Sequence, residues 1–383
     1  MTKHTTDIVI FGAGIAGLWL HARLRGAGYD SLLLESRAIG GGQTIAAQGI
    51  LHSGLKYAFA GKINKLAQSI SAMPDRWREC LRGEGDVDLT QARLRANSQY
   101  LLIPPGMMGG LIGLVTKKAL GGSVESVPEK DWPDDVRRTG FKGSVIYMGE
   151  PVLDVPSLLR ALAEPHRDSI RLINTPDDPR GFLEQHGITP RLHIFTGAGS
   201  NHAIAKALSH DKGLETQKRP LVQAMMKNAP FPLYAHLVGA SDKPVATITT
   251  HEMKDGTLVW YLGGGVAERA LDADPHEAIE AAKTEFAKYL PALDMSQVEW
   301  ATLPINRVEG KSDTDGWMPD TPTIHSAGDA LYCWPTKLTF APILGDMVLG
   351  KIGFEPSGKT TDFSALPDVD YAHAPWDKTE WKA

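Results

Sequence analysis

Gly12-Ala13-Gly14-Ile15-Ala16-Gly17 sets three glycines at the spacing of a phosphate-cradling turn, and Glu35 follows 18 residues after Gly17. Such a set can hold a dinucleotide. Gly12 permits a tight turn, and Gly14 lets backbone approach a pyrophosphate lying on a helix N-terminus. Gly17 lets that helix pack closely on a sheet, and Ile15 and Ala16 between them count with the glycines as cofactor contacts. Glu35 stands where a carboxylate meets ribose hydroxyls.

The elements around these residues are the ones this chemistry needs. Asp7–Phe11 (DIVIF) is a short β-branched run, and Leu18–Arg25 reads as a helix that ends at Gly26 and Gly28. A second apolar run, Ser31–Leu34, delivers Glu35. Strand, glycine turn, helix, strand and acid together turn a weak motif into a specific one. After Glu35 an NAD domain would run into another helix and strand. Here a loop follows instead, Ser36-Arg37-Ala38-Ile39-Gly40-Gly41-Gly42-Gln43-Thr44-Ile45-Ala46-Ala47-Gln48-Gly49. Its glycines, hydroxyls and amides suit the covering of a larger, extended cofactor.

Composition narrows the class. A chain of 383 residues is expected to hold two or three domains. Lys+Arg 40 against Asp+Glu 45 gives −5, which argues against nonspecific nucleic-acid binding, a local basic patch aside. Cys80 and Cys333 are too few for a disulfide framework, a four-cysteine zinc site or a CxxC redox centre. No metal site is expected. No apolar run has the length of a membrane span, and Met1–Asp7 is polar with no signal-peptide core, so a soluble, cytoplasmic protein is expected. No internal repeat is present.

The glycine-rich segment after the acid resembles that of the FAD-dependent D-amino-acid oxidase superfamily. That group includes glycine and sarcosine oxidases, glycerol-3-phosphate dehydrogenases and L-2-hydroxyglutarate oxidases. Further fragments resemble it in order: Glu150–Val155 with Leu158 and Leu162, Leu192–Ser200, Arg219–Gln223, and the hairpin from His251 to Gly265 with Glu268. Asp315–Pro319, followed by Ala330–Tyr332 and Gly345, resembles the closing segment under the flavin.

The resemblance implies an α/β fold in which a Rossmann-like FAD-binding domain (1–82, 153–218 and 310–354) is interleaved with an α+β substrate domain (83–152 and 219–309). The latter would be built on a mostly antiparallel sheet, with a tail at 355–383. Strand-like stretches at Ser98–Ile103, Leu221–Met226 and Leu258–Leu262 agree. So does an amphipathic helix over Asp274–Leu290, with Ala278, Ile279, Ala282, Phe286 and Leu290 at helical spacing. In the tail, Trp376 and Trp381 either pin the chain to the body or lie loose.

The resemblance also implies the site. FAD contacts would come from Ser36, Arg37, Gly42, Gln43 and Thr44, then Gln48, Gly49, Leu51 and His52. Gly197 and Gly199 would add contacts from the middle strand's turn, and Gly328, Lys337, Leu338 and Thr339 from the closing segment. The segment Gly49-Ile50-Leu51-His52-Ser53-Gly54-Leu55-Lys56-Tyr57 is similar to the "IHGG-RY" and "IHAG-YY" stretches of the hydroxy-compound oxidising members. Gly49 and Gly54 would bring backbone close to the isoalloxazine, with His52 beside it. That imidazole could accept a hydroxyl proton, hydrogen-bond the flavin, or link to it covalently. Non-covalent FAD is the expectation and the link its alternative.

By the same resemblance Arg307 aligns with an arginine that grips the substrate carboxylate in the amino-acid-oxidising members, and its planar fork suits carboxylate or phosphate. Val308 replaces the usual proline, and Glu309–Thr314 lengthens the segment that follows, which makes Lys311 the rival anchor and a surface salt bridge the plain alternative. His251 and Tyr261 on the hairpin could touch substrate; a strand histidine is as well explained by structure. Lys337, with the helix beginning at Ala341-Pro342-Ile343-Leu344, would favour the reduced anionic flavin, unless it is only a solvated loop lysine. Cys333 is expected to be packed.

The expected reaction is oxidation of a small anionic CH–OH compound, a 2-hydroxy acid or polyol phosphate, by hydride transfer to flavin N5. The alternative is CH–NH oxidation of a small amino acid or amine. An aromatic hydroxylase, suggested by Gly328-Asp329 and Pro335, is opposed by Gly197-Ala198-Gly199-Ser200 where that class carries Asp-Gly. A non-catalytic flavin-binding protein is the remaining reading. The acceptor is left open between oxygen and a quinone or another carrier, and so is the oligomeric state.

Overall fold

The computed structural model describes residues 4–54, 70–106, 124–239, 244–268, 274–312, 319, 321–335 and 337–382. Leu55, Lys56 and Tyr57 lie outside these residues, as do Asp315–Met318. In chain order the strands begin with β1 (His4–Phe11), β2 (Ser31–Glu35), β3 (Leu94–Ala96) and β4 (Gln99–Ile103). Next come β5 (Val124–Val127), β6 (Ser144–Met148), β7 (Val152–Leu153), β8 (Ile170–Leu172) and β9 (Ile188–Phe195). The chain continues with β10 (Thr216–Lys227), β11 (Ala235–Leu237), β12 (Ala246–Glu252), β13 (Leu258–Gly263) and β14 (Glu299–Gly310). It closes with β15 (Thr323–Ala327) and β16 (Ala330–Trp334).

β1 is buried on both faces from Thr6 onward, as a strand inside a parallel sheet covered on both sides must be. It sits inside a six-stranded sheet of order β15-β16-β9-β1-β2-β8, parallel except at the β15 edge. Helix α1 (Ile15–Gly26) is buried along most of its length, with Trp19 and Leu20 at 0% exposure. Two further helices, α2 (Val155–Ala163) and α3 (Ala341–Leu349), pack against it on one face of the sheet. The carboxyl ends of β1, β2, β9 and β16 therefore share one edge, where an open α/β sheet binds its ligand.

The second sheet has eight strands, β14-β10-β13-β12-β11-β4-β6-β5, antiparallel except for the β11–β4 pair. Alternation decides its two faces. Ile248, Trp260 and Leu262 point to a core closed by helix α4 (Pro275–Tyr289) through Ile279, Ala282 and Phe286. Asp274 caps that helix, its side chain accepting from His276 N at 3.0 Å, and Leu290 ends it. Thr247, Thr249, His251 and Tyr261 point the other way, and there Gln48 of the loop after Glu35 meets Thr247, Thr249 and Tyr261.

The segment after Phe354 runs over both sheets. Ser357 bonds Asp7 and Thr361 bonds Asp30, and Phe363 O accepts from Arg171 at 2.9 Å. Tyr371 bridges to Ile39, Trp376 is buried at 2% exposure, and Lys382 pairs with Trp300. The tail is pinned, with Trp376 buried as one anchor. Among the described residues no helix is long and apolar enough to cross a membrane.

Candidate active site

The glycine turn at the end of β1 is a cradle that a Cβ would fill. Gly12 has φ +103°, and a Cβ there would stand 2.9 Å from Gly197 N, in the turn after β9. A Cβ on Gly17 would stand 1.9 Å from Gly12 O, and one on Gly14 would press Thr44 Oγ1 at 3.2 Å. The first intrahelical bond of α1 is Leu18 N to Gly14 O, so the preceding N–H groups point out of the helix start. Thr44 Oγ1 accepts one of them, from Ile15, at 2.9 Å. Glu35 accepts from Ala13 N at 2.7 Å and from Ser36 N and Arg37 N at 2.9 Å each. A carboxylate offers about four acceptor sites, so these three bonds leave capacity for a hydroxyl. The residues present fit a pyrophosphate at the helix start and a ribose at Glu35.

The loop from Ser36 to Gly54 is stitched to the eight-stranded sheet. Gln48 Nε2 donates to Tyr261 O at 2.8 Å and Thr247 O at 3.0 Å, and Gln43 Nε2 reaches Val308 O at 3.5 Å. The Tyr261 hydroxyl donates to Ala46 O at 2.8 Å and touches the Gln223 amide. Burial drives its pKa well above 10, so it stays neutral. Gly42 has open space where a Cβ would sit. Gly49 is required by its own backbone and by a close neighbour. Its φ is +78° and a Cβ would meet Leu153 O at 2.2 Å, so the close approach is to β7. Leu51 is fully buried in the core beside it.

His52 follows on the same stretch, its backbone N–H donating to Thr339 Oγ1 at 3.2 Å. Its Nδ1 lies 3.3 Å from Glu150 Oε2. Glu150 is 1% exposed, and its Oε1 accepts from Ser53 N at 2.7 Å and Ser53 Oγ at 2.8 Å. His236 of β11 completes the group, with Nε2 3.6 Å from Glu150 Oε2 and Nδ1 2.9 Å from Thr247 Oγ1. Burial alone would raise the Glu150 pKa; the facing His236 and His52 imidazoles outweigh it and hold the carboxyl well below its usual range. Sequence reading did not single out His236, and it named Glu150 only as the start of a segment. A histidine inside the buried triplet Ala235-His236-Leu237, and an acid after apolar β6, were the available signals.

The other expected residues are spread around this group. Thr339 is buried beside His52, and Lys337 opens the turn at Leu338–Phe340 that leads into α3. Leu338 is half-buried against the core of the six-stranded sheet. Both Lys337 and Leu338 follow β16 at the ligand-binding edge. Gly197 and Gly199 follow β9 there, Gly199 facing Val308. Arg307 lies opposite Arg219 on β10, donating Nε to Arg219 O at 3.1 Å, with Glu268 3.8 Å from its guanidinium. Lys311 lies 3.7 Å from Glu215.

Two residues lie away from the expected site. His251 is fully buried and stacks on Trp376 at 4.4 Å, so the tail covers it; burial, with Arg95 nearby, lowers its pKa to about 3. Gly328 sits at φ +55° in the β15–β16 turn beside His210. Because β16 runs parallel to β9, that turn is at the amino edge of the sheet, opposite Gly12. It serves the hairpin. Cys333 is buried, which pushes its thiol pKa up.

The profile of the family described as FAD dependent oxidoreductase matches residues 7–310. The chain is similar to the probable FAD-dependent oxidoreductase PA4991 of Pseudomonas aeruginosa, 40% identical over 381 residues and covering 95% of each chain. The crystal structure of PA4991 superposes with a TM-score of 0.83 at 35% identity, covering 98% of this chain and 99% of that one. The fold is also that of glycine oxidase from Geobacillus kaustophilus (TM-score 0.64, 16% identity, 97% and 100% covered). L-α-glycerophosphate oxidase from Mycoplasma pneumoniae, solved with FAD bound, shares it as well (0.60, 12%, 97% and 100%). With a dinucleotide cradle at the sheet edge and this similarity along nearly all its length, the chain belongs to the FAD-dependent oxidoreductase family of the D-amino-acid oxidase superfamily, and its cofactor is FAD.

Proposed function

We propose that this oxidoreductase acts on a small anionic CH–OH compound, a 2-hydroxy acid or a polyol phosphate, with His52 taking the hydroxyl proton. The observation that carries this reading is the contact of His52 Nδ1 with the buried Glu150 carboxylate. A carboxylate beside Nδ1 favours the tautomer with the proton there, gives Nε2 the lone pair, and stabilises the imidazolium formed when Nε2 accepts a proton. An alcohol needs such a base, whereas an amine can arrive neutral.

Bound FAD supplies the acceptor for the hydride that leaves the substrate carbon. The chain does the rest. Gly12, Gly14, Gly17 and Glu35 would hold the dinucleotide end. Arg307, with Lys311 as rival, would hold the substrate's anionic group. His52 removes the proton, so that loss of proton and hydride together leaves a carbonyl. The electrons would pass on to oxygen, a quinone or another carrier.

Anaerobic titration of the FAD-loaded protein with 2-hydroxy acids, polyol phosphates and amino acids tests the reading. A hydroxy compound should bleach the flavin, and His52→Ala should slow that bleaching by about 10²-fold or more while FAD stays bound. Bleaching by amino acids or amines alone would replace the reading with CH–NH oxidation.

A further inference from the structure

Three donor atoms converge beside the proposed base: His52 Nδ1, Glu150 Oε2 and His236 Nε2, all within 4.8 Å of one another. We propose that they form a binding site for one divalent transition-metal ion, with Zn²⁺ the best match to two imidazoles and a carboxylate.

The separations carry the argument. Zinc bonds of about 2.0–2.1 Å in a tetrahedron put neighbouring ligand atoms about 3.3–3.4 Å apart. Glu150 Oε2 lies 3.3 Å from His52 Nδ1 and 3.6 Å from His236 Nε2, longer than charge-assisted hydrogen bonds and close to that edge length. A second observation is independent of these lengths. His236 Nε2 is buried with no hydrogen-bond partner, in a side chain 2% exposed, and it faces the carboxylate. An acceptor nitrogen facing an anion is repelled unless a proton or a cation stands between them.

Each ligand is also held from behind, which is how metal sites are kept in geometry. Thr247 Oγ1 lies 2.9 Å from His236 Nδ1, and where the hydroxyl accepts the Nδ1 proton the lone pair lies on Nε2. Ser53 occupies Glu150 Oε1 with two donors and leaves Oε2 to the metal. Thr339 holds the His52 backbone. Three protein ligands leave a fourth position for water or an anionic oxygen.

Binding has a chemical consequence. A metal on Nδ1 displaces the proton there, so the neutral His52 ring carries its hydrogen on Nε2 and can no longer accept one at that atom. The ion would therefore inhibit turnover. That consequence rests on His52 being the base; the binding does not.

Calorimetric titration of the FAD-loaded protein with ZnCl₂, without substrate, separates the two. One Zn²⁺ should bind per chain and Mg²⁺ should not. Glu150→Gln and His236→Gln should each weaken Zn²⁺ by about tenfold or more, and exposed His276→Gln should leave it unchanged. X-ray absorption of Zn²⁺-loaded wild type should show two imidazoles, a readout that needs no variant to fold. No uptake from ZnCl₂ in excess over the protein, uptake indifferent to Glu150 and His236, or fewer than two imidazoles would overturn the proposal. Binding without inhibition would leave the site standing and remove His52 as base.

Discussion

Two histidines on one sheet face have different environments, and the difference is measurable. His236 meets a carboxylate, whereas His251 meets Trp376 and a buried Thr249 hydroxyl at 3.0 Å. With a folded pKa of about 3 against 6.5 when free, His251 stays neutral where the unfolded chain takes up a proton. Stability is therefore lost as pH falls below about 6.5, because the unfolded state binds the proton first. His251→Phe keeps an aromatic on Trp376 and removes that loss. Between pH 7 and pH 5, urea unfolding should show wild type losing about 2 kcal/mol relative to the variant. Parallel curves for the two proteins would refute the neutral, buried assignment. The glycines and Glu35 were legible in sequence because their demands are local to one turn. Glu150 and His52 stand 98 residues apart, and no local pattern announces their meeting.

At the scale of elements, the sheet's two edges give opposite expectations for two glycines. Gly17→Ala pushes a methyl into Gly12 O and must displace the start of α1, so FAD affinity should fall at least about tenfold. Gly328→Ala strains a hairpin turn at the far edge and should cost about 1 kcal/mol of stability with FAD affinity unchanged. Flavin retained after gel filtration, with melting curves, tells them apart; equal losses of FAD would mean that Gly328 does belong to the site. The helix at Pro275–Tyr289 was legible from its apolar spacing. β11 was not: three residues pair with β4 and β12, and strands that short leave no period to read. That strand carries His236.

For the whole molecule, sequence similarity to a family conveyed the two-sheet plan better than periodicity did, since the long β10 and β14 alternate imperfectly. The route of the tail was not legible, because polar, turn-rich chain does not say where its few apolar residues land. Trp376→Ala should remove about 3 kcal/mol of stability, the usual scale for a buried tryptophan, and expose His251. A change under about 1 kcal/mol would show that the tail merely rests on the sheet. The anchors at Asp7 on β1, His251 on β12 and Trp300 on β14 lie on both sheets, with Asp30 and Ile39 flanking β2. Together with the Gln48 and Tyr261 stitches they act as a tie-rod across the joint. A hinge that swung the sheets apart would have to strip the tail from one of them and break the Gln48 and Tyr261 stitches as well, so the expectation is that substrate and product exchange by smaller movements while the two halves stay clamped.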